Sequence, residues 1–124
     1  MLPKERRLVS DYDFRMVRRR GRKIGTPLFD LFYFERGKTS SPRSAGYPPS
    51  RFGFVVSTKL DKRAVKRNRI KRIFREGTRS VLPKIKDGFD LVFWVRQKSL
   101  EAEPDQVRAA IKAALRRGRL LTDG

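Results

Sequence analysis

The spacing of apolar and polar residues changes period several times along this chain, and each change marks a predicted element. Ser10-Asp11-Tyr12-Asp13 has the form of a helix-starting capping box, with Asp13 in place of the usual Glu or Gln and Val9 and Phe14 set as a hydrophobic staple. The helix should run to Arg20 and stop at Gly21, with Phe14 and Val17 on one face and Arg15, Arg18, Arg19 and Arg20 around the rest. A strand-like pattern then covers 22–35, and Pro27 divides it into strands at 22–25 and 28–35. In the second strand Leu28, Asp30, Phe32 and Phe34 point one way and Phe29, Leu31, Tyr33 and Glu35 the other. One face covers a core; the other offers aromatics to a ligand. Residues 37–50, rich in Gly, Pro and Ser, predict a flexible loop inserted between strands.

A buried strand is predicted over 52–58, leading into the most informative segment of the chain. Residues 59–76 hold nine Lys or Arg among eighteen. At about 100° per residue, Arg67, Lys71, Arg75 and Arg79 line up at i, i+4 spacing with Asn68 and Arg72 beside them. Ile70, Ile73, Phe74 and Val81 fall on the other side, so this helix can pack into a core while displaying guanidinium groups outward. Asp61 is placed to cap its start, and the helix should fade between Ser80 and Pro83. Another apolar strand covers 89–96, expected at the centre of the sheet. A last helix begins near Pro104, carries the stripe Val107, Ala110, Ile111, Ala114 and Leu115, and ends at Gly118, leaving 119–124 as a short tail. The order α-β-β-β-α-β-α predicts one α/β (α+β) domain over 1–124, a two-layer sandwich of three helices on a small mixed four-stranded sheet.

Charge narrows the function. The chain has 124 residues with 32 Lys plus Arg against 13 Asp plus Glu, a net of +19. Such a field repels itself unless a polyanion neutralises it, and nucleic acid is the expected partner. Forked guanidinium groups suit phosphate oxygens, and Asn68 adds a donor and an acceptor among them. A membrane partner is not expected: no segment approaches the ~20 apolar residues of a spanning helix, and the basic helix lacks an exposed Trp/Leu face. The first residues show no signal-peptide core, so a cytoplasmic location is expected. The chain has no Cys and no His, which removes disulfides, Cys-based zinc sites, Cys nucleophiles, Ser-His triads and His acid–base chemistry.

The run Val56-Ser57-Thr58-Lys59 followed by Ala64-Val65-Lys66-Arg67-Asn68-Arg69-Ile70-Lys71-Arg72-Ile73-Phe74-Arg75-Glu76 closely resembles the bacterial ribonuclease P protein subunit. Asp13-Phe14, Gly21, the aromatic strand around Phe32 and Phe89-Asp90 extend the resemblance over nearly the whole chain. It implies a large catalytic RNA as partner and precursor tRNA as substrate. The RNA would remove the 5′ leader with bound Mg2+, and neither a metal on the protein nor a further protein partner is implied. It also implies an unusual left-handed crossover between parallel strands, where connections are right-handed in about 98% of cases. Lys59, Arg67, Asn68, Arg69, Lys71, Arg72 and Arg75 match the family's RNA-binding positions by resemblance, and Lys66 and Arg79 complete the expected RNA-binding set; by helical angle Arg69 lies nearest the apolar flank, where it could instead brace the helix. Phe14 and Phe32 match aromatic positions of a leader-binding cleft. Where many relatives have a second aromatic on the first helix, this chain has Arg18, expected on the cleft rim.

The acids do not form an evident catalytic set. Asp11 and Asp13 read as helix-start residues, Glu76 as a partner of Arg72 or Arg79, and nothing in the spacing of Asp30 and Asp90 requires a metal. No catalytic residue is therefore assigned. The competing readings are a structural ribosomal RNA-binding protein and a DNA-binding protein. The latter is weakened because the apolar face of the basic helix is committed to the core and no helix-turn-helix pattern precedes it.

Overall fold

A computed structural model describes residues 4–36 and 49–122. Its main elements are α1 (Asp11–Arg20), β1 (Arg22–Gly25), β2 (Phe29–Glu35), β3 (Arg51–Val55), α2 (Ala64–Val81), β4 (Phe89–Val95) and α3 (Pro104–Arg117). The strands form one mixed sheet in the order β1-β2-β4-β3, with β4 interior as expected. The pairs β1–β2 and β2–β4 are antiparallel, and β3–β4, joined through α2, is parallel. Three helices on a four-stranded mixed sheet is the architecture predicted. Apart from Pro49 and Ser50, the predicted loop 37–50 lies outside the described residues.

Strand parity assigns two cores. Phe29 and Leu31 of β2 and Leu91, Phe93 and Val95 of β4 point to one face, where Ile70 and Phe74 of α2 and Val107, Ile111 and Leu115 of α3 meet them. The rings of Phe29 and Phe93 lie 5.3 Å apart and those of Phe29 and Phe74 5.6 Å, both edge to face. Leu8, Val17 and Val92 are buried on the opposite face, with Phe14, Phe32 and Trp94 packed around them. The predicted two-layer packing therefore holds for α2 and α3, while α1 lies across the other face. There it covers only part of the sheet, which leaves room for a groove.

Several boundaries differ from the sequence reading for local reasons. Ser10 makes no side-chain cap and Val9 is 80% exposed, so α1 begins without box or staple. The capping box belongs to α3, where Glu103 and Gln106 exchange side-chain and backbone bonds. Gly21 ends α1 with an ordinary φ of −82°. Its role is steric, since a Cβ there would lie 2.4 Å from the Tyr33 carbonyl oxygen. β3 stops at Val55 because Ser57 takes over the backbone: its Oγ accepts from Lys59 N at 3.0 Å and its carbonyl from Leu60 N at 3.0 Å. The expected tail is not one where it is described. Leu120 and Leu121 are buried, and Leu120 O accepts from Lys86 N at 2.8 Å.

One ionic cluster joins both layers. Asp90 opens β4 with 3% exposure and faces Arg51 across the parallel pair. Arg51 Nε donates to its Oδ1 at 2.9 Å and Nη2 to its Oδ2 at 2.7 Å, a two-pronged pair. Arg36 Nε lies 3.0 Å from the same Oδ1, off the line of a good hydrogen bond, and Arg36 Nη2 donates to Pro49 O. Arg51 Nη1 reaches Asp13 of α1 at 3.4 Å. The Asp90 bond raises the Arg51 pKa, whereas burial lowers that of Arg36. Asp90→Ala, which leaves two half-buried guanidinium groups without their shared partner, should lower stability by about 3 kcal/mol in urea denaturation. Asp13→Ala, which removes a longer and wetter contact, should lose no more than about 1 kcal/mol. Equal losses would show that Asp90 is not the organising charge.

Candidate nucleic-acid interface

The entry to α2 is built from charge. Asp61 sits two residues before the N-cap residue, Arg63, instead of occupying the cap itself. Its Oδ1 accepts from Arg63 N at 2.9 Å and Nε at 3.1 Å, and its Oδ2 from Arg63 Nη2 at 3.1 Å. Those bonds pull the Asp61 pKa down to about 2. Arg67 is tied to the same turn, donating from Nη1 to the carbonyls of Asp61 and Lys62 at 3.0 Å each. The alignment of Arg67 with Lys71 and Arg75 is thus real along the helix, yet this guanidinium is engaged in its own fold. Arg69, expected in the RNA-binding set but also near enough to the apolar flank to brace the helix, is exposed, and with Val65, Asn68, Arg72 and Arg75 it bounds a recess of about 570 Å3.

Ile70, Phe74, Gly77, Thr78 and Val81 are buried beneath α2, as the pattern requires. Lys66, Asn68, Arg72 and Arg79 are exposed, Lys71 and Arg75 half-buried, and Lys59 stands exposed in the turn before the helix. Among the described residues none of the cations from Lys66 to Arg79 forms an ion pair, and Glu76 pairs with neither Arg72 nor Arg79. Unpaired like charges along one helix face repel, so this surface favours an anionic partner.

The second feature lies between α1 and α2. A groove of about 510 Å3 is lined by Asp11, Phe14, Arg15, Arg18, Phe54, Val55, Val56, Lys71 and Trp94. Phe14 is half-buried, seated on β3 where Gly53 has no side chain: a Cβ there would lie 2.4 Å from the ring. The Arg18 guanidinium is 4.3 Å from the centroid of the Trp94 ring and 5.7 Å from that of Phe32, a cation–π stack on two aromatics. Phe32, half-buried, meets Trp94 edge on at 6.4 Å, with Lys23 Nζ 5.9 Å from its centroid. Phe14 and Arg18 therefore share the groove as expected, while Phe32 stands beside it under Arg18. Trp94 was missed by the sequence reading because β4 resembles a wholly buried strand. Period-two parity would have placed it on the α1 face with Asp90 and Val92. Lys71 lies on the groove wall contributed by α2, so the groove and the helix face adjoin.

Asp30 and Asp90 do not come together as a metal site. The register places Asp30 opposite Trp94, four residues along β4 from Asp90, a separation of about 13 Å. Asp90 is occupied by Arg51 and Arg36, and Asp30 faces Lys23 at 3.9 Å and Arg96 at 3.8 Å. Among the described residues no three His, Cys, Asp or Glu side chains gather as metal ligands.

Comparison with known proteins gives this surface a context. The profile of the family described as Ribonuclease P matches residues 2–119. The chain belongs to the ribonuclease P protein family. It is 34% identical over 129 residues to the ribonuclease P protein component of Cyanothece sp., covering 98% of each chain. It is also 34% identical over 115 residues to that of Xanthomonas campestris pv. campestris, covering 93% of this chain and 70% of the relative. The ribonuclease P protein of Thermotoga maritima superposes with a TM-score of 0.74 at 28% identity, covering 90% of this chain and 96% of that one. That of Staphylococcus aureus does so with a TM-score of 0.80 at 23% identity over 95% and 99%, a likeness of fold.

Two outcomes test the local geometry of this ribonuclease P family member. Gly53→Ala should cost about 1–3 kcal/mol by crowding Phe14. Adding Phe14→Ala should relieve most of that crowding, so strictly additive losses in a double-mutant cycle would remove the ring from Gly53. Asp61 has a depressed folded pKa, so its contribution is complete above the unfolded value of about 3.9 and is lost as pH falls toward the folded one. Its carboxyl carbon should titrate by NMR with a midpoint of about 2, and Arg63→Ala, which removes the guanidinium bonds but keeps the backbone N–H bond, should raise that midpoint part of the way toward about 3.9. An unmoved midpoint would place the cause elsewhere.

Proposed function

We propose that this chain is the RNA-binding protein subunit of ribonuclease P, working as a single domain in the cytoplasm. It grips the catalytic RNA through the outer face of α2 and holds the 5′ leader of precursor tRNA along the α1 groove. The observation carrying this reading is the pairing of two unlike anion-binding surfaces that adjoin at Lys71. One is a helix face of unpaired guanidinium and ammonium groups, suited to a fixed phosphate array. The other is an aromatic groove edged by Arg15 and Arg18, suited to single-stranded nucleotides of any sequence, since every base has a face to stack. Leader removal from many different tRNA precursors needs that tolerance.

The chemistry is assigned to the RNA. This chain offers no His or Cys, and its buried acid is bound to arginine. Magnesium, when bound, would activate the attacking water and stabilise the leaving oxygen from sites on the RNA. The protein relieves repulsion between two polyanions and orients the leader. Arg18, stacked on Trp94, supplies a flat cation where an aromatic side chain would otherwise serve, so leader binding here depends more on charge.

Purified chain with magnesium should leave precursor tRNA intact. Adding a bacterial ribonuclease P RNA should give cleavage at the mature 5′ end, faster at low magnesium than with RNA alone. Arg69→Ala/Arg72→Ala/Arg75→Ala should weaken binding of that RNA with little change in unfolding midpoint. The salt dependence should flatten by roughly one unit of slope or slightly less for each phosphate no longer neutralised. Arg18→Ala and Phe14→Leu should lower affinity for precursor tRNA by about 1 kcal/mol or more and leave mature tRNA almost unaffected. Cleavage by the protein alone, or equal losses for both tRNAs, would overturn the respective assignment.

A further inference from the structure

A separate group of cations lies at the C-terminal end of α3, away from both surfaces described above. Lys86, Arg116, Arg119, Leu121 and Thr122 line a recess of about 390 Å3 that shares no residue with the α1 groove or the α2 recess. Lys86, Arg116 and Arg119 are exposed, and none of the three forms an ion pair among the described residues.

The end of α3 imposes a left-handed backbone at a residue that is not glycine. α3 closes with Leu120 N donating to Leu115 O at 2.9 Å and Arg119 N donating to Arg116 O at 3.1 Å. That pair of bonds requires a left-handed residue at 119, the position glycine fills at least cost. Arg119 occupies it with a φ of 57°, the one positive φ of a non-glycine residue among those described. Gly118, immediately before it, has an ordinary φ of −82°. Compensation of the helix dipole does not account for Arg119 either, because Arg116 and Arg117 already fill the last turn. An arginine held in a conformation suited to glycine, facing two further unpaired cations, points to a ligand.

We propose that Lys86, Arg116 and Arg119 form a second phosphate-binding surface for RNA. The proposal rests on the reading of RNA as partner but adds an anchoring point beyond both the α2 face and the leader groove. Two guanidinium forks and an ammonium around a recess walled partly by Thr122 suit phosphate oxygens. From Arg67 to Val81, α2 rises about 21 Å, and Lys86 follows one short turn beyond its end. The two surfaces therefore engage separate stretches of RNA. Those phosphates belong either to the ribonuclease P RNA or to precursor tRNA.

Arg119→Gly separates a binding role from a structural one because it moves two readouts in opposite directions. Relief of the left-handed strain should raise the melting temperature by about 3 °C. Removing one phosphate-binding group should weaken RNA binding about four- to five-fold near 150 mM salt and reduce the salt slope by nearly one unit. Lys86→Ala/Arg116→Ala should weaken binding further, with a correspondingly flatter slope. Binding is measured for ribonuclease P RNA with the free chain, and for precursor tRNA with the assembled holoenzyme. Weakening in the first measurement assigns the phosphates to the RNA subunit; weakening confined to the second assigns them to the substrate. Wild-type binding together with unchanged affinity in Arg119→Gly would overturn this proposal alone, as would a loss of affinity accompanied by a lower melting temperature. Failure of the wild-type chain to bind either RNA would overturn the RNA reading and this proposal with it.

Discussion

The buried carboxylate of Asp90 determines how the layers of this molecule meet. It lies at the start of β4, bonded to Arg51 of β3, with Arg36 from the end of β2 beside it, and Arg51 extends the contact to Asp13 of α1. Three strands and the helix on the outer face are thus referred to one charge. Elsewhere in so basic a chain a guanidinium meets mainly like charge, so the opposite charge of Asp90 selects which arginines turn inward. Desolvating these groups is unfavourable in itself, and such a cluster contributes to specificity more readily than to stability. Here it bonds across the parallel β3–β4 pair in its observed register, and Arg51 adds a weaker contact to α1.

The remaining cations are left for the surface, and the fold arranges them by separating jobs. α2 would be a poor helix alone, with unpaired like charges at i, i+4 spacing; packing of Ile70, Phe74 and Val81 holds it against that repulsion. The exposed basic face is thus held in helical form by the packing beneath it. At the helix entry, Arg67 and Arg63 serve the chain itself through bonds to Asp61 and its neighbouring carbonyls, while Asn68, Arg69, Arg72 and Arg75 remain available. Within one basic run, neighbouring residues thus divide between those bonded within the fold and those left exposed.

That division was only partly legible in the sequence. The two faces of α2 could be read because a 3.6-residue period survives any tertiary context that keeps the helix amphipathic. The strands of β2 and β4 could be read from their apolar density and their bounding turns. Bonds made by long flexible side chains could not, which is why the tie of Arg67 to its own helix entry and the exposure of Arg69 were not foreseen. Trp94 was hidden because a continuous apolar strand does not announce that a ten-residue helix covers only part of its outer face. The capping box was assigned to the wrong helix, since Ser10 and Glu103 satisfy similar local patterns and only the latter makes the bonds. Residues 119–124 read as a tail because 120–122 pair with 84–86, far away in the chain, which no local pattern encodes.

Trp94 is the sole tryptophan of the chain, and it lies in the groove under a guanidinium. An indole's emission responds to a nearby charge and to anything stacked on its face. All intrinsic tryptophan fluorescence in this molecule therefore originates at the site where a single strand would lie, and none comes from the core to mask it. The protein carries its own optical gauge of groove occupancy, readable without a label and without any other component being altered.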